Sequence, residues 1–365
     1  MQGMKRLCAL MISLFLLVSS LCGCTTFKTK IAYTVYPVGF LCERLSGTLV
    51  ESRSVSDNAI VQRSVLKKDY REILDDSAVF FHIGFLEPYY SLYSSEFSSL
   101  PLTQIDLSVL NAVYDFQRYT AVQADGETNY IETPYYRGDE FLMIDTDSKD
   151  LYLWTDPIAM LSMAKDIRQW LVTTFPDDAP SFEKNFITLK NDLINLDAQY
   201  QALASSNEQN NRVIRFVSMT ASFGNWQKTY GFQVYPMILS KYGALPNEVQ
   251  LASIEQRIRD DGVKYIVYES NMTEDMIELF NRVEDDLGLT RVELSNLSSL
   301  TDSEAEAGKD YLSIMYENLS VLETMVEDRS PAPEEPAEEE IVIIEEKKEE
   351  EPVPTALPFD PNVRH

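Results

Sequence analysis

Histidine is almost missing from this chain, since only His82 and His365 occur among its 365 residues. Catalytic mechanisms that use imidazole as a general base, including the Ser-His-Asp triad, therefore lack their key side chain. The chain also contains no GxSxG, P-loop or GxGxxG segment, and this removes the common hydrolase and nucleotide-binding signatures. We therefore expect that the protein is not an enzyme.

Basic residues and cysteines are scarce as well. Lys and Arg number 31 against 58 Asp and Glu, so the formal net charge is −27. A chain this acidic is repelled by phosphate backbones, so we expect no nucleic-acid partner. The four cysteines (8, 22, 24 and 42) are spaced too unevenly for a disulfide framework or a CxxC metal pair.

The N-terminus has the pattern of an export signal. A basic pair precedes an apolar run of 16 residues (7–22), too short for a transmembrane helix of about 20 residues. The run ends in LCGC (21–24), which resembles the bacterial lipobox, whose last cysteine is acylated. The resemblance implies a signal peptide at 1–23, a lipid such as palmitate on Cys24, and a location at the extracytoplasmic face of the cell membrane. A plain cleaved signal and an uncleaved anchor are the alternatives.

The C-terminus is acidic and rich in proline. Residues 327–365 hold 13 acidic and 4 basic residues, a net charge of −9 over 39 residues. Such a segment cannot bury enough apolar surface to offset its ordering entropy. We predict a disordered tail, either a solvated spacer or an interaction arm.

Strand and helix signals alternate between these two ends. The strand signals are Ile31–Tyr36, Ala78–Ile83, Val213–Met219 and Tyr265–Glu269. This alternation, with a helical pattern at Pro246–Asp260, predicts an α/β protein with mostly parallel strands. In 181–206, apolar residues recur in steps of three and four, which predicts one long amphipathic helix. The helix could join two lobes, or it could form half of a coiled coil.

Six segments carry a resemblance to the solute-binding lipoproteins of zinc and manganese ABC importers. They are Tyr36–Gly47, SAVFFHIGFLEPY (77–89), DLYLWTDPIAMLSMAKDIRQWL (150–171), TASFGNWQKTYGF (220–232), LPNEVQLASIEQRIRDDGVKYIVYES (245–270) and AGKDYLSIMYENLSVL (307–322). The resemblance implies two similar lobes with parallel-rich sheets joined by one long rigid helix. The implied domains are an N-terminal lobe at 24–180, the helix at 181–206 and a C-terminal lobe at 207–326.

The residues that match the family's metal ligands are not histidines. In the family three imidazoles and one carboxylate hold the cation, and here the matching positions are Gln62, Tyr152, Thr220 and Glu269. Neutral tyrosine, threonine and glutamine are weak ligands for Zn²⁺ or Mn²⁺. Only Glu269 remains as a metal ligand, for zinc, manganese or a harder divalent cation, and an organic ligand in the same cleft is the alternative.

These observations predict a lipid-anchored, monomeric solute-binding protein that serves an ABC permease and whose metal site is degenerate. The alternative is a non-transport surface lipoprotein that uses the same fold as an interaction scaffold. We interpret Asp145, Asp147 and Asp150 as a solvated turn, since the glycine and glutamate of a calcium loop are missing.

Overall fold

The computed structural model describes residues 30–57, 60–124 and 127–329. The predicted signal peptide, Cys24 and the part of the acidic tail beyond Arg329 lie outside the described residues. The strands are β1 (Lys30–Tyr33), β2 (Glu51–Ser54), β3 (Ser77–His82), β4 (Thr103–Asp106), β5 (Arg118–Ala124), β6 (Glu127–Thr133), β7 (Arg212–Thr220), β8 (Gln233–Ile238), β9 (Tyr265–Tyr268), β10 (Thr290–Glu293) and β11 (Val326–Asp328). The helices are α1 (Tyr36–Ser46), α2 (Tyr70–Asp75), α3 (Pro88–Leu92), α4 (Ser94–Ser99), α5 (Pro157–Thr174), α6 (Ala179–Gln209), α7 (Gly224–Tyr230), α8 (Glu248–Asp260), α9 (Glu274–Leu287), α10 (Asp302–Glu306) and α11 (Tyr311–Thr324).

The first sheet is parallel throughout, in the order β2-β1-β3-β4. Ile31 lies opposite Ser52 on one side and Val79 on the other. The centre of β3 is the apolar run Val79–Phe81, which is fully buried, as expected for a strand covered on both faces. Because its strands are parallel, their carboxyl ends share one edge of the sheet, where a ligand site is expected.

The second sheet has the order β10-β9-β7-β11, and β8 also pairs with β7. Strands β7, β8, β9 and β10 pair in parallel, whereas β11 runs antiparallel to β7. The pairing of Glu327 with Val213 corrects the predicted boundary of the tail, since Glu327 and Asp328 belong to β11. Glu327 is also buried beside Arg215, at 3.0 Å, and this ion pair fixes the end of the strand in the sheet.

Helix α6 is longer than predicted at both ends, Ala179–Gln209 rather than 181–206. The polar run after Leu203 continues the helix because it holds no proline or glycine, and the helix stops only where Asn211 takes a positive φ of 52°. The buried residues of α6 include the predicted stripe Phe182, Phe186, Leu189, Leu193, Leu196 and Tyr200. Near its start Asn185 donates a hydrogen bond to the Leu45 carbonyl on α1, and further along Tyr200 donates one to the Met315 carbonyl on α11. The predicted α/β class, with parallel-rich sheets and one long helix, is confirmed.

Apolar residues between positions 135 and 144 pack on the second sheet although they precede α6 in the chain. Tyr135 and Tyr136 are buried in the same apolar cluster as Met219 and Ile266 of the second sheet. The domain boundaries 24–180, 181–206 and 207–326 stay predictions, and the described residues up to Asp328 form one compact unit. Within the described ranges, no helix combines the length and apolar character needed to cross a membrane.

Candidate functional site

The candidate site lies at the carboxyl ends of β7 and β9, which are neighbouring parallel strands. Thr220 is the last residue of β7, and Glu269 directly follows β9. Both side chains are fully buried. The local sequence explains this placement, since the apolar cores of the two strands fix them side by side and bring the first polar residue after each to one edge.

Four hydrogen-bond donors surround the carboxylate of Glu269. Its Oε1 accepts from the backbone N–H groups of Met219 at 2.9 Å and Thr220 at 3.0 Å. Its Oε2 accepts from the Thr220 hydroxyl at 2.8 Å and from the Asn296 amide at 2.6 Å. Burial raises the pKa of Glu269 above its usual value, and these hydrogen bonds oppose the shift without cancelling it. Four donors use the four lone-pair directions of an ionised carboxylate, so its charge is stabilised without a cation.

A network of amides holds Asn296 in place. Its side chain exchanges hydrogen bonds with the amide of Asn271, at 3.0 and 3.2 Å, and accepts another from Ser298 at 2.8 Å. The Asn296 backbone carbonyl accepts a hydrogen bond from the Trp154 indole at 2.8 Å. Asn296 is not among the residues predicted from the sequence, where its only signal is the largely polar run SNLSS (295–299).

Tyr152 approaches this network through Ser222. The Ser222 hydroxyl lies 2.7 Å from that of Thr220, and proximity to Ser222 lowers the pKa of Tyr152, which burial raises well above its usual value. The Tyr152 ring is 1% exposed and packs edge-on against Trp154, but its hydroxyl makes no hydrogen bond to the described residues. The structure therefore brings Tyr152, Thr220 and Glu269 into one cluster with Ser222 and Asn296.

Gln62 lies in the short 3-10 helix Val61–Arg63, and no hydrogen bond to Tyr152, Thr220 or Glu269 is seen. It is 6% exposed, and its Oε1 has no hydrogen-bond partner among the described residues. The next residue, Arg63, donates to the Gly243 carbonyl at 2.7 Å and pairs with Asp275 at 2.7 Å. Gln62 is thus held against the loop after β8, and its place in the cleft stays a prediction.

The interpretation of Asp150 as part of a solvated turn is wrong. Asp150 is fully buried, accepts a hydrogen bond from the Asn225 amide at 3.1 Å, and lies 3.4 Å from the Lys228 ammonium. Burial raises the pKa of Asp150, and Lys228 opposes that shift. The ion pair joins the loop before Tyr152 to α7, which the sequence could not reveal because the partners are 78 residues apart.

The described residues contain no group of three or more His, Cys, Asp and Glu side chains that could hold a metal ion. Tetrahedral zinc sites use nitrogen, thiolate or carboxylate ligands, usually four of them. Tyr152 offers a neutral hydroxyl, Thr220 donates its hydroxyl proton to Glu269, and the Glu269 oxygens are already occupied. The side chains that are present therefore do not fit a zinc ion in this arrangement.

Two mostly parallel sheets and a long helix, with a polar cluster at the strand ends, are typical of α/β solute-binding proteins. The sequence matches the family described as "ZnuA: Zinc-uptake complex component A periplasmic" over residues 31–325. The chain belongs to that family, which consists of solute-binding proteins and not enzymes. The resemblance drawn from the sequence motifs is confirmed.

The relatives in this family are zinc-binding proteins by name. The chain is 27% identical to the zinc-binding lipoprotein AdcA of Streptococcus pneumoniae over 183 residues, 50% of this chain and 35% of the relative. It is 25% identical to the high-affinity zinc uptake system protein ZnuA of Bacillus subtilis over 173 residues, 47% of this chain and 52% of the relative. The matches thus cover only about a third of the streptococcal relative and half of the Bacillus one.

Solved structures share the fold at low identity. Zn(II)-bound AdcA from Streptococcus pneumoniae superposes with a TM-score of 0.61 at 20% identity, covering 84% of this chain and 59% of that one. The periplasmic zinc-binding protein TroA from Treponema pallidum superposes with a TM-score of 0.63 at 14% identity, covering 82% and 99%. At this identity the likeness establishes the fold alone.

Proposed function

We propose that the chain is the extracytoplasmic solute-binding component of an ABC importer, and that its site no longer coordinates a transition metal. Membership in the zinc-uptake family supports the importer role and a partner permease. The observation that supports the second part is that the carboxylate of Glu269, which the sequence resemblance matches to a metal ligand of the family, accepts four hydrogen bonds. A lipid on Cys24 would hold the protein at the membrane. The protein would act there as a monomer.

The loss of imidazole changes what the site can bind. Zinc binding is stated in the names of the relatives and not of this chain. In this chain a divalent cation would meet one carboxylate and neutral hydroxyl groups. To reach Glu269, the cation would have to displace Asn296 and Thr220, and it would gain no nitrogen ligand in return. The affinity for Zn²⁺ and Mn²⁺ would therefore be low, and a harder cation would find too little charge.

The groups that remain free fit an uncharged polar solute. The Tyr152 hydroxyl and the Gln62 Oε1 are buried and have no partner among the described residues. Buried polar atoms gain from a hydrogen bond that a solute supplies. Tyr152 can donate and accept, whereas Gln62 Oε1 accepts. We propose that Tyr152 binds a small molecule with hydroxyl or amide groups, and that Gln62 contributes where it lines the same cleft, as the family resemblance implies.

A thermal-shift screen of the full chain tests this proposal. The panel contains Zn²⁺, Mn²⁺, Ca²⁺, amino acids and small polyols, and a polar organic solute is expected to raise the melting temperature more than the metals. Tyr152→Phe removes only the free hydroxyl and should weaken binding of that solute about tenfold. The control Tyr200→Phe removes a hydroxyl that binds the Met315 carbonyl, so it should lower stability and leave solute binding unchanged.

The scaffold alternative makes a different prediction for the same screen. The scaffold alternative is supported if no solute on the panel shifts the melting temperature and if the protein does not bind to membranes that contain the permease. The chain would then keep the fold without a transport function. A large shift with Zn²⁺ that Glu269→Gln removes would instead show that the metal site is intact.

A further inference from the structure

A second polar cluster lies at the carboxyl ends of the strands of the first sheet. Thr34 directly follows β1, Ser56 lies two residues after β2, and Glu87 precedes α3 in the segment after β3. Strands β2, β1 and β3 are parallel neighbours. Their polar residues therefore meet at one edge of the sheet, on different elements from those that hold Glu269.

Four side-chain oxygens of this cluster are buried without a hydrogen bond to the described residues. They are the Thr34 hydroxyl, both carboxyl oxygens of Glu87 and the Tyr89 hydroxyl. Thr34 and Glu87 are fully buried, and Tyr89 is 4% exposed. A native structure leaves few buried polar groups unpaired, and four in one place indicate a missing partner.

The side chains that carry these unpaired oxygens are neighbours. The Thr34 hydroxyl lies close enough to Glu87 to lower the pKa of its carboxyl, while Tyr89 lies close to both Glu87 and Ser56. Burial is nevertheless the larger influence and raises the pKa of Glu87 to about 7. Neighbouring buried oxygens that have no hydrogen-bond partner among the described residues can be satisfied by one small group that bridges them.

The electrostatic surroundings favour a positive group in that position. The acids that raise the pKa of Tyr89 or Tyr90 are Glu87, Asp57 and Asp106. The nearest basic side chain on the neighbouring 3-10 helix, Arg63, is already paired with Asp275 at 2.7 Å. On the opposite side the cluster borders an apolar core that contains Ala32, Phe80 and Phe97, where an unpaired carboxylate is costly.

We propose that the Glu87 carboxylate, with the hydroxyl oxygens of Thr34 and Tyr89, binds a monovalent cation such as Na⁺, K⁺ or ammonium. One carboxylate balances one positive charge, whereas a divalent ion would leave a net charge next to the apolar core. All candidate ligands are oxygen atoms, which suits a hard cation and not a thiophilic metal. The site is separate from that at Glu269, whose oxygens are saturated, and it stands independently of the proposed function.

Thermal unfolding of the full chain at about pH 8.5, where Glu87 is ionised, tests this cation site. NaCl, KCl and NH₄Cl are compared with N-methylglucamine chloride at equal ionic strength. We expect the small cations to raise the melting temperature by about 3 °C for each tenfold increase above the dissociation constant. N-methylglucamine is too large for the cluster and should give no such rise.

Two variants and one control locate the effect. Glu87→Gln keeps the size of the side chain, removes its charge and should abolish the difference between the cations. Thr34→Val should weaken the dependence, and it serves as the readout if Glu87→Gln does not fold. Glu269→Gln lies in the other site and should keep the full cation dependence. Equal melting temperatures in all four chloride salts, or a cation response that survives Glu87→Gln, would overturn the proposal.

Discussion

The Nδ2 atom of Asn296 donates a hydrogen bond of 2.6 Å to Oε2 of Glu269, joining two residues that are 27 positions apart. Because Glu269 is fully buried and already accepts three other hydrogen bonds, this contact completes the shell of donors around its charge. Asn296 thus occupies the side of the carboxylate that an incoming cation would need.

Removal of this amide should destabilise the protein. We expect Asn296→Ala to lower the free energy of unfolding by about 1–3 kcal/mol, because a buried charged acceptor loses a donor. The hydrogen bond from Trp154 to the backbone carbonyl of residue 296 does not depend on the side chain. Urea denaturation measures the change, with Asn210→Ala, at the exposed end of α6, as a control expected to lose less than about 0.5 kcal/mol. An Asn296→Ala protein as stable as the parent would contradict this role.

Restoring imidazole should restore metal binding. The double variant Tyr152→His, Thr220→His supplies two nitrogen ligands and removes the hydroxyl that donates to Glu269. We expect it to gain saturable zinc binding, seen as a zinc-dependent rise in melting temperature that the parent lacks. Adding Glu269→Gln should reduce that gain. A folded double variant that is indifferent to zinc would show that these positions do not converge on one ion.

Docking of the β5–β6 hairpin depends on one buried arginine. The Arg118 guanidinium is 2% exposed, lies 4.2 Å from the centre of the Tyr235 ring, and pairs with Asp261 at 3.3 Å. We expect Arg118→Met to cost about 2–4 kcal/mol, because Tyr235 and Asp261 lose a charged partner and, among the described residues, Asp261 keeps its ion pair with Arg257 alone. Amide hydrogen exchange should become faster in the hairpin first. Arg212→Met, in an exposed pair with Asp328, is the matched control and should change stability little.

The raised pKa of Glu87, about 7, makes stability depend on pH. In the folded protein Glu87 keeps its proton to a higher pH than in the unfolded chain, so the folded state binds more protons between about pH 4.5 and 7. The contribution of Glu87 to stability is therefore present below about pH 4.5 and is lost as the pH rises to about 7, a change of about 3 kcal/mol without small cations. Subtracting the profile of Glu87→Gln isolates this group among the other acids. Identical profiles would contradict the raised pKa.

The elements that depend on local pattern could be predicted from the sequence. The buried stripe of α6 and the cores of β3, β7 and β9 follow from the spacing of apolar residues, which local backbone geometry fixes. The order of motifs along the chain also placed Thr220 and Glu269 at positions that the structure brings together. Their proximity follows from parallel pairing of the strands that precede them.

The rest of the site depends on contacts between distant segments. Asn296 donates a hydrogen bond to Glu269, which lies 27 positions away. Asp150 is buried beside Lys228, which lies 78 positions away. A polar residue in a loop has the same pattern whether solvent or a buried partner satisfies it, so the sequence alone does not reveal that Asp150 is buried. The three-residue extension of α6 at its C-terminal end also escaped prediction, because polar residues end a helix only when a turn residue follows.

Calorimetric titration of Zn²⁺ into the full, metal-free chain tests the loss of the metal site most directly. We predict no saturable binding in the micromolar range, and no difference between the parent and Glu269→Gln. One tightly bound Zn²⁺ per chain, lost in Glu269→Gln and retained in Glu87→Gln, would contradict the account.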